Sequence, residues 1–379
     1  MTTFASASES MSLPQWPRNG KPDRAPDRPP QAPESAHRRG ALLDSHGRTI
    51  HDLRLSLTDR CNFRCVYCMD PDVRFAEPSS LLRGDEFILA LGPRSTGTVR
   101  IGRIAASLGI RKVRLTGGEP TLHPELLSIA SGLRDSTGCE IALITNGSRG
   151  DRASVAAWRR AGIARVTVSL DSLREDRFAR LTRASGSVQE VLACVGHCLA
   201  EGLAPVKVNA VLLHGENDDE AVEFADLARR LAIEVRFIEW MPLDSGHAWR
   251  PERWVSAATT RAAIESVHPL VPIDGDDPTA TARSFAFADG APGRIGFIAP
   301  ISAPFCGACS RLRITADGMV RPCLFSTTEW DLRPLLRSGA DDEALRRFLV
   351  DAAWSKQAGH GIESPEFRQP ARPMSAIGG

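Results

Sequence analysis

The strongest constraint on this chain is a rhythm that begins near residue 50, in which short β-rich runs alternate with stretches of helical periodicity. The runs fall at Leu53–Leu57, Val113–Leu115, Ile141–Ile144, Val166–Leu170, Val206–Leu212 and Val235–Ile238. The helical stretches include Pro124–Leu133, Arg152–Ala161, Val188–Glu201 and Asp219–Leu231, and Gly162 and Gly202 stand where two of them should stop. Strand, helix, strand repeated six times predicts a parallel sheet joined by right-handed crossovers. An open doubly wound sheet and a barrel-like sheet both satisfy that order. The polar residues tip the choice. Thr116-Gly117-Gly118-Glu119, Thr145-Asn146-Gly147, Ser169 with Asp171, and Glu239-Trp240-Met241 all follow strands. Such loops at the carboxyl end of strand after strand describe one mouth, the way barrel enzymes assemble their sites. The expected fold class is α/β: a partial (βα)6 TIM-like barrel over residues 48–245, with a smaller C-terminal portion over 246–379.

Residues 1–39 are a different kind of sequence. Pro14, Pro17, Pro22, Pro26, Pro29, Pro30 and Pro33 are interleaved with Arg, Asp and Ser, with little apolar surface to bury, so a disordered leader is expected. Glu9, Asp23, Asp27 and Glu34 are wrong for a transit peptide. A formal net charge of +1 gives no global handle for nucleic acid or a membrane surface. No apolar run approaches the ~20 residues that cross a bilayer. A soluble, cytoplasmic protein is expected.

Nine cysteines then carry the chemistry. A reducing compartment and an odd total argue against a disulfide framework. Cys61, Cys65 and Cys68 form one tight group in the loop after the first strand, and Cys306, Cys309 and Cys323 form another. Three thiolates can hold three corners of an iron–sulfur cubane and leave the fourth iron open, whereas electron-transfer clusters use four. Zinc is the competing reading, more so for the second group, where spacing alone leaves the two metals level. Arg311 and Arg313 beside that group would point to one side of a strand, an arrangement that suits a phosphate chain. Arg54, Arg114 and Lys207 add cations on predicted inner strand faces, where burial without an anion is costly. Pairing with Glu119, Asp171 or Glu239 is the alternative use of them. Cys139, Cys194 and Cys198 read as core residues.

Cys61-x3-Cys65-x2-Cys68 at the end of the first strand of a βα repeat, with Tyr67 between the last two cysteines, resembles the radical S-adenosylmethionine (SAM) enzymes. By that resemblance the open iron chelates SAM, and one electron releases a 5′-deoxyadenosyl radical. Tyr67, Gly118 within Gly117-Gly118-Glu119-Pro120, Ser169 and Met241 match positions that line SAM. Two such cysteine groups, the stretch Leu57-Thr58-Asp59-Arg60-Cys61-Asn62-Phe63-Arg64-Cys65 and a Gly-Gly terminus resemble one branch, the GTP 3′,8-cyclases, from about residue 48 to 379.

That likeness implies a lyase with two [4Fe–4S] clusters that uses SAM to convert GTP to (8S)-3′,8-cyclo-7,8-dihydroguanosine 5′-triphosphate, the first step of molybdopterin (molybdenum cofactor) biosynthesis. The C-terminal region would hold the auxiliary cluster and GTP, with Arg54, Arg114, Thr145, Lys207, Arg311, Leu312 and Arg313 forming the nucleotide site. It also implies an external electron donor, a downstream cyclic pyranopterin monophosphate synthase as partner, and a monomer or homodimer. The tail Pro373–Gly379 matches a terminus that enters the active site. One departure stands out: Leu91-Gly92-Pro93-Arg94-Ser95-Thr96-Gly97-Thr98 should break the first helix, which the family keeps uninterrupted. Two other readings compete. One is a radical SAM enzyme acting on a peptide or another small molecule, for which five cations in one mouth have no purpose. The other is a zinc-stabilised binding module without catalysis.

Overall fold

A computed structural model describes residues 31–82, 100–243, 248–273, 277–365 and 367–378. The expected helix break at 91–98 and the leader up to residue 30 lie outside the described residues.

The six expected strands form as β1 (Asp52–Ser56), β2 (Lys112–Thr116), β3 (Glu140–Thr145), β4 (Ile163–Ser169), β5 (Lys207–Val211) and β6 (Glu234–Ile238). They pair in parallel in chain order. The crossovers carry α1 (Arg100–Ser107), α2 (Leu126–Thr137), α3 (Arg152–Arg160), α4 (Glu175–Thr182), α5 (Val188–Ala200) and α6 (Ala221–Leu231). Local chemistry sets the helix ends. Asp151 caps α3 by accepting from the Ser154 N–H, and Ser187 and Glu190 form a reciprocal capping box on α5. Gly162 and Gly202 follow α3 and α5 with φ of +93° and +69°, the left-handed stop expected of them. Helix α4, absent from the sequence reading, is a two-turn piece whose Phe178 is fully buried.

The sheet extends past these six strands. β7 (Leu270–Pro272), β8 (Arg283–Phe287), β9 (Arg294–Ile298), β10 (Arg311–Ile314), β11 (Met319–Arg321) and β12 (Trp330–Asp331) complete the order β12-β11-β10-β1-β2-β3-β4-β5-β6-β9-β8-β7. β10 joins β1 and β9 joins β6, both in parallel, so residues on either side of 245 share one sheet. β9 and β10 are consecutive in the chain yet flank opposite sides of the six. Residues 299–310, with Cys306 and Cys309, run between them. The repeat is lost to the eye here because no crossover helix separates β9 from β10.

Period-two alternation divides the strands into two faces. Leu53, Leu55, Val113, Leu115, Ile141, Leu143, Val208, Val235 and Leu312 are buried in the core. Their neighbours Arg54, Arg114, Thr167, Asn209, Arg236, Arg311 and Arg313 line a single cavity. Parallel strands covered by helices on both faces would be apolar on both. These are apolar on one and mostly polar on the other.

The leader differs from expectation over residues 31–39. Glu34–His37 form one helical turn, and Ala32 and Ala36 are buried in the core. The helix α7 (Asp342–Trp354) holds this stretch: Asp351 accepts from the Ala32 N–H at 2.8 Å, and Arg347 pairs with Glu34 at 2.8 Å. The partners come from over 300 residues away, so composition of the leader alone does not reveal them. Among the described residues no helix is long and apolar enough to cross a membrane.

Candidate active site

All six clustered thiols, Cys61, Cys65, Cys68, Cys306, Cys309 and Cys323, line one cavity of about 300 Å³. Of the other residues singled out from sequence, Arg54, Tyr67, Arg114, Gly118, Thr145, Ser169, Met241, Arg311 and Arg313 line it too. Lys207 and Leu312 do not. Lys207 sits at the start of β5 with its Nζ 2.8 Å from Glu234. Leu312 is buried in the core, on the far face of β10 from its two arginine neighbours.

The first cysteine loop is clamped by the two glycines after β2. The Gly118 N–H donates to the Thr58 carbonyl at 2.7 Å and the Glu119 N–H to the Arg60 carbonyl at 2.8 Å. A Cβ on Gly117 would sit 2.3 Å from the Thr58 oxygen, and one on Gly118 2.4 Å from the Arg60 oxygen. Gly117 also has a φ of +145°. Glycine is required here for approach to the loop's own backbone, before any ligand is considered. Further along, the Arg64 N–H donates to the Thr182 carbonyl and the Val66 N–H to the Leu181 carbonyl, both in α4.

Cys309 differs in electrostatics from the first trio. Burial pushes the Cys61 thiol up to about 11 and the Cys68 thiol up to about 12, with Glu119 and Asp171 respectively adding to the effect. Thiols this basic keep their protons until a metal displaces them. Burial also opposes the Cys309 thiolate, but the Arg311 guanidinium and the Lys356 ammonium outweigh it and bring the thiol down to about 6. Arg311 donates to the Cys309 sulfur at 3.1 Å through Nη2.

In donor type and number each trio suits an iron–sulfur cluster. Among the described residues, no three Cys, His, Asp or Glu side chains converge on one point as a single ion requires. A cubane asks for something else, since each cysteine takes its own iron. His360 lines the cavity as well. Both its ring nitrogens are engaged, Nε2 with the Pro300 carbonyl at 2.7 Å and Nδ1 with the Ile362 N–H at 3.0 Å. It therefore leaves the second trio a three-cysteine set.

The cations form a row. Arg313, Arg54 and Arg114 face one another at the same level of β10, β1 and β2. Arg114 pairs with Asp52 at 2.9 Å. Among the described residues Arg54 has no partner at its Nε, and enclosure, with Arg313 and Arg114 alongside, holds its guanidinium well below its ordinary pKa. The three carboxylates the sequence offers as partners for these cations are otherwise engaged. Glu119 accepts from the Thr145 hydroxyl and the Asn146 N–H at 2.7 Å each; Asp171 accepts from Tyr67 and Val211. Glu239 accepts from the N–H groups of Ala257, Ile301 and Ser302.

Sequence reasoning passed over Arg236, Lys356 and Asn146, all in the cavity. Arg236 was legible, since it occupies an inward position of β6 level with Asn209. Asn146, whose Nδ2 lies 3.9 Å from the Cys61 sulfur, stands in a loop already marked as polar. Lys356 follows α7 and donates to the Arg311 carbonyl at 2.8 Å, a position no local pattern signals. The tail enters the cavity as expected: Met374 and Ser375 line it, and Arg313 donates to the Gly378 carbonyl.

Comparison with known proteins agrees with this geometry. The radical SAM superfamily matches residues 55–228, and the Molybdenum Cofactor Synthesis C family matches 233–362. A GTP 3′,8-cyclase of Streptomyces coelicolor is 44% identical over 349 residues, 91% of this chain and 99% of that protein. A GTP 3′,8-cyclase of Mycolicibacterium smegmatis is 44% identical over 347 residues, 90% of this chain and 92% of its own length. Among solved structures, Streptococcus suis SuiB aligns with a TM-score of 0.57 at 15% identity, covering 86% of this chain and 77% of that one. SuiB bound to S-adenosylmethionine gives 0.52 at 14%, covering 78% and 65%. These two share the fold, a radical SAM-like α/β architecture. By its identity and coverage with the curated relatives, the chain belongs to the GTP 3′,8-cyclase family of radical SAM enzymes.

Proposed function

We propose that this protein converts GTP to (8S)-3′,8-cyclo-7,8-dihydroguanosine 5′-triphosphate, the first step of molybdopterin biosynthesis, inside a partial (βα)6 barrel. The observation that carries the reading is the meeting of six thiols and a row of arginines in one cavity. Cys61, Cys65 and Cys68 would hold one [4Fe–4S] cluster, and Cys306, Cys309 and Cys323 a second. The first cluster, when bound, supplies the electron that cleaves SAM. Tyr67, Gly118, Ser169 and Met241 would line the SAM position.

Arg313, Arg54 and Arg114 would take the triphosphate, with Arg236 and Arg311 adjoining. Arg54, which has no carboxylate partner among the described residues, is prepared for a polyanion, because no ion pair has to break there when one binds, whereas Arg114 keeps Asp52 and Arg236 keeps Glu234. Thr145, now committed to Glu119, and the Leu312 backbone would complete the nucleotide contacts. Lys207 lies outside the cavity lining and would act from the floor through Glu234, which also holds Arg236 at 2.5 Å. The apolar wall of Ile144, Ile238 and Phe305 would exclude water and stray hydrogen donors from a radical. The five arginines of the cavity weigh against a peptide substrate. Anaerobic incubation with GTP, SAM and a strong reductant tests the proposal. GTP-dependent 5′-deoxyadenosine together with a cyclised nucleotide is expected; 5′-deoxyadenosine formed equally without GTP would remove GTP as substrate.

A further inference from the structure

Just past the carboxyl end of β4, Asp171 carries a charge where electrostatics disfavours one. It is 4% exposed and lies near Cys65 and Cys68, where a negative charge opposes formation of the thiolates that ligate iron. Its two oxygens go to neutral donors. Oδ2 accepts from the Tyr67 hydroxyl at 2.7 Å, and Oδ1 accepts from the Val211 N–H at 2.9 Å. The residue is also fixed from behind. Asn217, fully buried, donates through Nδ2 to the Asp171 carbonyl at 2.5 Å and to the Val211 carbonyl at 2.9 Å. Asn217 is held in turn by the Leu213 N–H at 2.7 Å. Asp171 is thus a rigid post built from the ends of β4 and β5.

Tyr67 is the strap on that post. The cysteine loop is held at Arg64 and Val66 by backbone bonds to α4, and at the next residue by this side chain. Tyr67 lies between two of the ligands, Cys65 and Cys68. A buried O–H···O⁻ bond is directional and among the stronger hydrogen bonds. Only a carboxylate presents two acceptor oxygens to donors on opposite sides; an amide presents one. That requirement accounts for an acid beside thiolates.

We propose that Asp171 is a positioning residue for the first cluster site: by holding the Tyr67 hydroxyl it fixes the Cys65–Cys68 segment, and with it two of the thiols that would hold the cluster and present it to SAM. The inference rests on reading Cys61, Cys65 and Cys68 as a cluster site.

The test exploits composition, because Tyr67 is the chain's only tyrosine. The Raman tyrosine doublet of the full-length, metal-free protein therefore reports this one hydroxyl. A strong-donor intensity ratio is expected, lost in Asp171→Val. In the anaerobically reconstituted holoprotein, SAM is titrated against the change it causes in the electron paramagnetic resonance spectrum of the reduced cluster. Tyr67→Phe, which removes a single oxygen, and Asp171→Val should each need on the order of 10- to 100-fold more SAM, the usual cost of losing an outer partner of a metal site. The double variant should be no worse than the poorer single variant, because both act through one bond. A wild-type hydroxyl that does not donate, or a Tyr67→Phe titration that matches wild type, overturns the proposal alone. Wild-type protein that loads no iron at the first trio overturns the reading of the site, and does so before any variant is made.

Discussion

Replacing Arg54 by methionine should make the metal-free protein more stable while destroying its affinity for GTP. The side chain lies level with Arg313 on one side and Arg114 on the other, and its Nε has no partner. The adjacent carboxylate, Asp52, is taken by Arg114. Without substrate, Arg54 therefore stands between two other cations with no carboxylate of its own among the described residues. Exchanging buried charges for apolar groups of similar size stabilises proteins by about 1–4 kcal/mol. The guanidinium opens on the cavity, which keeps it partly hydrated, so the lower part of that range, about 1–2 kcal/mol, applies. For a chain of this length that raises Tm by roughly 1–3 °C. The same change removes a desolvated partner of the triphosphate, at a cost of about 2–5 kcal/mol in binding. That corresponds to an affinity loss of roughly 30-fold to several thousandfold. Scanning calorimetry of metal-free protein and calorimetric titration with GTP, in the absence of reductant, measure the two effects. A variant that melts lower and binds GTP as well as wild type would refute the reasoning.

Four further outcomes follow from the geometry. Gly118→Ala places a Cβ 2.4 Å from a backbone oxygen where ordinary contact begins at 3.4 Å, so the cysteine loop must move by about 1 Å. Reductive SAM cleavage should then fall on the order of 100-fold, and an unchanged rate would contradict the account. Burial, with Arg236 adjacent, brings Lys207 down to about 8 from an ordinary 10.5 despite its bond to Glu234. Between those values the unfolded chain binds the extra proton, so stability rises with pH across that window, by roughly 3 kcal/mol at most. Denaturation across that range in wild type and Lys207→Met, where the rise should vanish, checks the sign. Arg48 donates to the carbonyls of Cys306, Gln357 and Ala358 at 2.7, 2.6 and 2.8 Å, so Arg48→Met should lower iron at the second trio and spare the first. Equal loss at both, read by iron content and electron paramagnetic resonance, would argue against that selectivity. Cys139, Cys194 and Cys198 are buried away from the cavity; alanine there should leave iron unchanged, whereas Cys306→Ala should remove about half.

The parts legible in the sequence are those in which a short-range pattern has a physical cause. The six strands stood out because helical crossovers join one to the next, and the cysteine trios because metal ligands cluster in sequence. Arg311 and Arg313 were placed on one face by period two alone, and β10 bears this out. What was hidden depends on chain closure over long distances. β9 and β10 carry no periodic crossover between them, and Lys356 and His360 reach the second trio only once α7 has packed. The order of residues 31–39 has the same origin in α7. Gly118 was matched to a position that lines SAM; the first contact of both Gly117 and Gly118 is the backbone of residues 58–60. Lys207 was assigned to the mouth because it lies on a barrel strand. Its place at the amino end puts it instead against Glu234, two residues along β5 from the cavity-lining Asn209.

The most direct test of the account follows one atom. GTP carrying deuterium at C3′ is incubated anaerobically with the reconstituted protein, SAM and a reductant, and the 5′-deoxyadenosine is analysed by mass spectrometry. If the six thiols and the arginine row hold clusters, SAM and nucleotide in one cavity, the 5′-deoxyadenosine gains deuterium and a cyclised nucleotide accumulates with it. Label-free 5′-deoxyadenosine, or none, from protein with both clusters loaded would contradict that claim.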